Sequence, residues 1–226
     1  MKVAVLIDGA FFVKRIRALK LCNDPYDAKR FADLAFRFAI CHLKKDKKIQ
    51  QNNNELYRIF FYDCSPFTKR MHNPISGKSV DFSKSKEAIF RHELHNQLKR
   101  KRKLALRLGK LSDIANWTIK PQKISLLLKN QNVQINEDDA IIDTKQKGVD
   151  MRIGIDITSI ALKKQAKKIV LIAGDSDFVP AAKLARREGI DFILDPMWNP
   201  ISPDLFEHID GLKTYCPKPQ KQFQAA

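Results

Sequence analysis

The chain has 226 residues, with 42 Lys and Arg against 25 Asp and Glu, a formal net charge of +17. Hydrophobic residues make up 44%, with 14 Phe, which suits a buried core and excludes an intrinsically disordered chain. No apolar run approaches the roughly 20 residues of a membrane span, and the basic excess favours a polyanionic partner such as RNA or DNA over a merely solubilising surface.

The apolar run 2–7 predicts a first strand; Asp8 interrupts it and no small-residue cleavage site follows, so it does not read as a secretory leader. Helices are predicted over 11–21 and 26–43, the second from Phe31, Leu34, Ala35, Phe38 and Cys41 at helical spacing. The charged loop "KKDKKIQQNNN" ends it, its charges a solvated face. "LYRIFFY", 56–62, is a second buried strand, followed by the long loop "SPFTKRMHNPISGKS". A helix over 85–102, short strands over 104–111 and 117–119, and helices over 123–130 and 150–164 come next. The run 169–173 is a strand, 178–188 its following helix, 191–194 a last core strand, and 205–209 a short helix. "CPKPQKQFQAA", 216–226, reads as a flexible tail.

Apolar strands alternating with helices predict an α/β fold with a mainly parallel central sheet covered on both faces, in which ligands sit beyond the carboxyl ends of the strands. Residues 1–215 read as one domain with a basic insertion around 64–140. Cys22, Cys41, Cys64 and Cys216 are scattered without a CxxC pair, which suits a reducing cytoplasm rather than a zinc site or disulfide frame. His92 and His95 in "HELH" lack the four-residue step of a helical zinc motif and are expected to be ordinary surface histidines. No GxSxG, P-loop or GxGxxG motif supports acyl transfer, NTP hydrolysis or dinucleotide binding.

Carboxylates follow the predicted strands directly: Asp8, Asp63, Asp175, Asp177 and Asp195, with Asp150 opening a helix after "KQKG". Each alone is explained by helix capping, Asp177 for the helix 178–188, and Asp8 and Asp150 as caps or charges at helix N-termini. Several together on one edge would repel unless a hard cation lies among them, and magnesium or manganese so held can activate water against a phosphodiester.

The segments "VLIDGAFF", "KGVDMRIGIDI" and "IVLIAGDSDFVPAAKLARREG", in this order, resemble the NYN domain family, a branch of the PIN-like metal-dependent ribonucleases. The resemblance implies a three-layer α/β/α sandwich and an RNA-cutting site that binds Mg²⁺ or Mn²⁺ on Asp8, Asp150, Asp175 and Asp177. Asp156 also matches a frequently acidic position. It lies about 240° around a helix from Asp150, so it would act from behind the site with Ser176. The pattern departs at Phe11, where many members carry Asn, and at Ala173, where relatives often carry Ser. The Phe11 departure leaves room for a catalytically weak RNA-binding or regulatory module on the same fold.

"LKRKRKLALRLGK" supplies Lys99, Arg100, Lys101, Arg102, Lys103, Arg107 and Lys110 without an acid, a run that repels itself unless an anion lies against it. With Lys147, these are the candidate RNA contacts, and Trp198 is either a base-stacking or a packed loop aromatic. The expected function is a cytoplasmic metal-dependent endoribonuclease with RNA as partner, no membrane and no organic cofactor, compatible with a homo-oligomer. A phosphatase for small substrates fits the basic excess less well.

Overall fold

The computed structural model describes residues 1–44, 54–112, 115–130, 132–144 and 146–219. Most of the charged loop after 44, and residues 220–226 of the predicted tail, lie outside them. In chain order the elements are β1 (Lys2–Asp8), α1 (Gly9–Ala18), α2 (Ala28–Cys41), β2 (Glu55–Cys64), β3 (Arg70–His72), β4 (Ser79–Asp81), α3 (Lys86–Lys99), β5 (Leu104–Leu111) and β6 (Asn116–Ile119). They continue as α4 (Pro121–Lys129), β7 (Ala140–Asp143), β8 (Gln146–Lys147), α5 (Val149–Leu162), β9 (Lys168–Ile172), α6 (Val179–Arg187), β10 (Asp191–Asp195), α7 (Pro203–Glu207) and β11 (Gly211–Leu212).

The central sheet runs β11-β10-β9-β1-β2-β5-β8. Six strands are parallel, and β8 alone pairs antiparallel, with β5. β1 shows why the sheet is buried on both faces. Val3, Val5 and Ile7 face one side and Ala4 and Leu6 the other, all 0% exposed. Each large one contributes about 1.5–3 kcal/mol by leaving water. Phe12 and Ile16 of α1, Phe31 and Phe38 of α2, and Leu94 and Leu98 of α3 cover the first face. Ile153, Ile157 and Ile160 of α5 with Ala182 and Ala185 of α6 cover the second. The three-layer α/β/α reading holds.

The short strands β3, β4, β7, β8 and β11 were not expected from the sequence. They hold two to four residues each, too few to show a period of two, and their pairing rests on partners elsewhere in the chain. The span 64–140 contains α3 and β5, which belong to the main layers. It also contains two peripheral pieces, the β3–β4 hairpin and the β6–α4–β7 unit, the latter closing at Trp117↔Ile142. Among the described residues no helix is long and apolar enough to cross a membrane.

Chain order reverses at the centre of the sheet: β1 leads outward through β2 and β5, while β9 returns to its other side and leads to β10 and β11. Parallel registers carry Ile7 beside Ile172 and Asp8 beside Tyr62. The crevice where an α/β sheet binds its ligand therefore opens between the ends of β1 and β9.

Candidate active site

Asp8 ends β1 and caps α1, its Oδ1 accepting the Phe11 N–H at 3.1 Å. Gly148, at φ 76, makes the left-handed turn that starts α5 and places Asp150 in its first turn. After β9 the chain turns through Gly174, and Asp175 caps a short 3₁₀ turn, Ser176–Phe178, by accepting the Asp177 N–H at 3.2 Å. The expected roles are thus exchanged: Asp175 is the cap, and the Asp177 side chain caps nothing. Asp150, Asp175 and Asp177 are exposed, and Asp8 is half-buried beneath them.

The structure brings these four acids into one another's field. Burial pushes the Asp8 carboxyl up to about 6, opposed by the Phe11 N–H and reinforced by the charge of Asp150 and, more weakly, Asp63. Asp150 is raised by burial and by the charges of Asp175 and Asp177. Among the described residues no Lys, Arg or His forms an ion pair with any of the four. The donor set, carboxylate oxygens open to water, fits a hard divalent cation. No three of them come within 4.8 Å of one another, so the side chains must turn inward to share an ion. Among the described residues that spacing occurs only at Asp204, Glu207 and His208 on the surface of α7.

Asp156 stands behind the notch, whereas Ser176 lies between two of its acids and lines a surface hollow with Asp150 and Asp177. Asp156 accepts the Tyr62 hydroxyl at 2.7 Å and lies 3.5 Å from Arg107 Nε, fastening α5 to the sheet behind Asp150. Burial, with the Asp156 hydrogen bond, holds that hydroxyl protonated well above its usual range. Ser176 is exposed on the 3₁₀ turn.

The eight basic candidates divide along β5. Lys99, Arg100, Lys101, Arg102 and Lys103 precede the strand and so lie at the sheet edge opposite the acids. Lys101 pairs there with Asp33, and Lys103 donates to the Leu56 carbonyl at 2.6 Å. Arg107 is level with Tyr62, and so with Asp8, but is drawn to Asp156 and over the Phe60 ring. Lys110 and Lys147 face each other across β5 and β8, exposed on the acids' edge.

Two features went unread in the sequence. His95 is not a surface histidine. It is 5% exposed, and its Nε2 lies 2.8 Å from Asp63, which also takes two hydrogen bonds from Arg91 Nη1. A carboxylate buried at the end of β2 needs such partners, and the helical step from Arg91 to His95 was the signal for them. Phe11 lays its ring against Gly174, where a Cβ would come within 2.5 Å of Phe11 Cε2, so this apolar ring forms a wall of the notch. Trp198 is a loop aromatic tied by its indole N–H to the Cys216 carbonyl at 2.9 Å, with one side exposed.

The NYN domain model matches residues 61–199, more than half of the chain. The match includes Asp150, Asp175 and Asp177 and begins after Asp8. That family is generally nuclease-like with a PIN-like fold, and its nucleases typically use divalent metals. A crystal structure of a protein of unknown function from Vibrio parahaemolyticus is 16% identical to this chain, with a TM-score of 0.45 over 94% of this chain and 91% of that one. No curated protein matches at a significant level.

Proposed function

The chain belongs to the NYN domain family, and from that premise we propose that it is a metal-dependent endoribonuclease cutting RNA at the notch between β1 and β9. The observation that carries this reading is the group of mutually repelling carboxylates, at the switch point of the sheet, without an ion-paired cation among the described residues. Asp8, Asp150, Asp175 and Asp177 would hold Mg²⁺ or Mn²⁺. Such an ion supplies a water of lowered pKa and polarises a phosphodiester.

The chain's own groups do the rest. The N-termini of α1 and α5 open onto this edge, and the positive ends of their helix dipoles favour a phosphate there. Lys110 and Lys147 add positive charge on the same edge, while Gly148 and the Tyr62–Asp156 bond fix how α5 presents Asp150. Lys99 to Lys103 would steer RNA from farther off. Residues 1–215 act as one domain in this reading, in a reducing cytoplasm, and assembly into a homo-oligomer is compatible with it.

Phe11 favours a second reading, an RNA-binding module of weak activity. Its ring stands where many relatives have an amide able to orient a water or phosphate. One experiment separates the two: labelled RNA with Mn²⁺ or EDTA, for the wild type and Asp175→Asn. Mn²⁺-dependent internal cleavage that disappears in the variant is the expected result. RNA binding without cleavage in either protein would select the second reading.

A further inference from the structure

α5 is apolar on two sides. Ile153, Ile157 and Ile160 face the sheet, yet Met151, Ile155 and Leu162 on the outward side are 70%, 59% and 55% exposed. With Thr158 between them, these outward residues fall on one uncharged stripe along the helix. A helix that meets water on its outer side carries charges there, as α2 does with Lys29, Arg30 and Arg37. A contiguous apolar stripe facing outward marks an interaction surface.

The stripe borders a hollow between α5 and α6. Gly154 forms its floor, where a Cβ would stand 4.0 Å from that of Ala181, and Val179, Pro180 and Leu184 form the α6 side. The charges along it are two lysines, Lys163 and Lys183, against three acids, Asp150, Asp177 and Asp204, a sum of −1 on a chain of +17. RNA finds no excess of cations here, and an acidic protein is drawn to the basic remainder of the surface. A second copy of the chain, repelled by like charge over most of its surface, meets the least repulsion on this face. The charges are also ordered. α5 and α6 lead into parallel strands on the same face of the sheet and so run the same way. Their starts carry Asp150 and Asp177, and their ends carry Lys163, Lys164 and Arg187.

We propose that two copies of the chain pair through this face about a twofold axis, α5 lying against the antiparallel α5 of the partner subunit. A twofold interface must complement itself, and a surface that is apolar in the middle and oppositely charged at its two ends does so only when the helices run antiparallel. An axis that lays Met151 level with Leu162 of the partner subunit also lays Ile155 level with Thr158 of the partner subunit, so the apolar stripes cover each other. The acidic start of each helix pair then meets the basic end of the other, and the helix dipoles oppose. Asp150 and Asp177 belong to the notch as well as to this seam, so Lys163 and Lys164 of the partner subunit reach its rim. The seam does not depend on the nuclease reading, because both acids carry their charge whether or not RNA is cut.

The test is sedimentation equilibrium of the full chain in EDTA, at protein concentrations up to about 100 µM, since a seam of two helices per copy is at the small end of specific interfaces. The wild type should approach twice its mass of 26.0 kDa as concentration rises. Ile155→Glu, a change at an exposed position, should raise the dimer Kd at least about thirtyfold. Leu128→Glu makes the same kind of change at an 83% exposed residue of α4 and should leave Kd unaltered. A second arm tests the direction of the helices. Lys163→Glu with Lys164→Glu removes two charges at each position and takes the chain from +17 to +13. In the antiparallel seam these acids face Asp150 and Asp177, and Kd should rise about tenfold or more. Copies meeting anywhere else would repel less and associate more tightly.

A chain that stays at 26.0 kDa over the whole series would overturn the proposal and leave the stripe to a partner of another kind. So would a dimer that Ile155→Glu leaves intact, or one that the double lysine exchange tightens. Circular dichroism of each variant confirms that the fold is kept, and Mn²⁺-dependent cleavage is scored separately, so a monomeric nuclease is distinguishable from the failure of the nuclease reading.

Discussion

Asp63 and Asp195 lie at the ends of β2 and β10, one strand out on either side of Asp8 and Asp175. All four follow apolar runs and emerge on the same edge of the sheet. The flanking pair is 1% exposed and fully provided for. Asp63 binds Arg91, His95 and the Cys64 N–H, and Asp195 binds His42 at 2.9 Å, the Thr214 hydroxyl and the Met197 N–H. The central acids accept only backbone N–H groups of the turns that follow them, and no cation pairs with them among the described residues. Asp63 shows what the partners achieve. Burial alone would raise it, yet the His95 hydrogen bond and the Arg91 charge hold it below its usual range, whereas Asp8 is driven up to about 6. The fold thus neutralises the outer carboxylates with its own groups and leaves the inner ones for something from outside.

Asparagine substitutions break this comparison most sharply in catalysis. Asp8→Asn, Asp150→Asn and Asp175→Asn should each lower Mn²⁺-dependent RNA cleavage by at least about a hundredfold, because a neutral amide is a poor ligand for a hard cation. Their far-UV circular dichroism should stay that of the wild type. Asp63→Ala should do the reverse. It strands Arg91 beside Glu87 and leaves His95 without its acceptor, so unfolding in urea should show a loss of about 3–5 kcal/mol. If Asp63→Ala keeps its stability and loses only cleavage, the division between structural and metal-holding acids is wrong.

The two classes should also part in their response to pH. The Asp8 carboxyl is raised from its ordinary 3.8 to about 6, so the folded state binds that proton more tightly than the unfolded chain. Stability from this group therefore falls as pH rises from about 4 to about 6 and is level beyond, an integrated penalty of about 3 kcal/mol. Asn still caps α1 and removes the titration. In EDTA at pH 7, Asp8→Asn should thus melt higher than the wild type, and the difference should vanish near pH 4. Asp63 has the opposite sign: its contribution is present above the ordinary carboxylate pKa and is lost on acidification below it. Equal melting curves for Asp8→Asn and wild type from pH 4 to 7 would show that the notch is not strained by its charges.

The position of the acids was legible because it depends on local pattern alone: an apolar run of strand length, then Asp. Which acids would be left without cations was not. Asp63 takes its side-chain partners from α3 and Asp195 takes His42 from the residue that caps the end of α2, separations of 32 and 153 residues for the two histidines. Nothing in the sequence around His42 announces its pairing, and the step from Arg91 to His95 marks a helix face without saying which acid it meets. Asp175 and Asp177 were told apart wrongly as caps for a related reason. The chain inserts a 3₁₀ turn ahead of α6 and moves the capping position two residues back. The β3–β4 and β6–β7 pairs were equally hidden, since strands of three or four residues pair only in the folded chain.

The basic run supplies the mildest test, since strand direction decides what composition leaves open. Lys99, Arg100 and Arg102 enter β5, whereas Lys110 leaves it beside Lys147 on the edge of the acids. Removing one cation that neutralises a phosphate of single-stranded RNA should lower the slope of log K against log salt by about 0.7. Lys110→Gln with Lys147→Gln should therefore reduce it by about 1.4, independently of RNA sequence. Arg100→Gln with Arg102→Gln should change it little for an RNA too short to reach past the notch. On longer RNA the second pair should begin to matter if the strand continues over the α3–β5 end. A slope that responds to Arg100 and Arg102 even on the shortest bound RNA, and ignores Lys110 and Lys147, would put the RNA on the edge opposite the acids and separate binding from the site of cleavage.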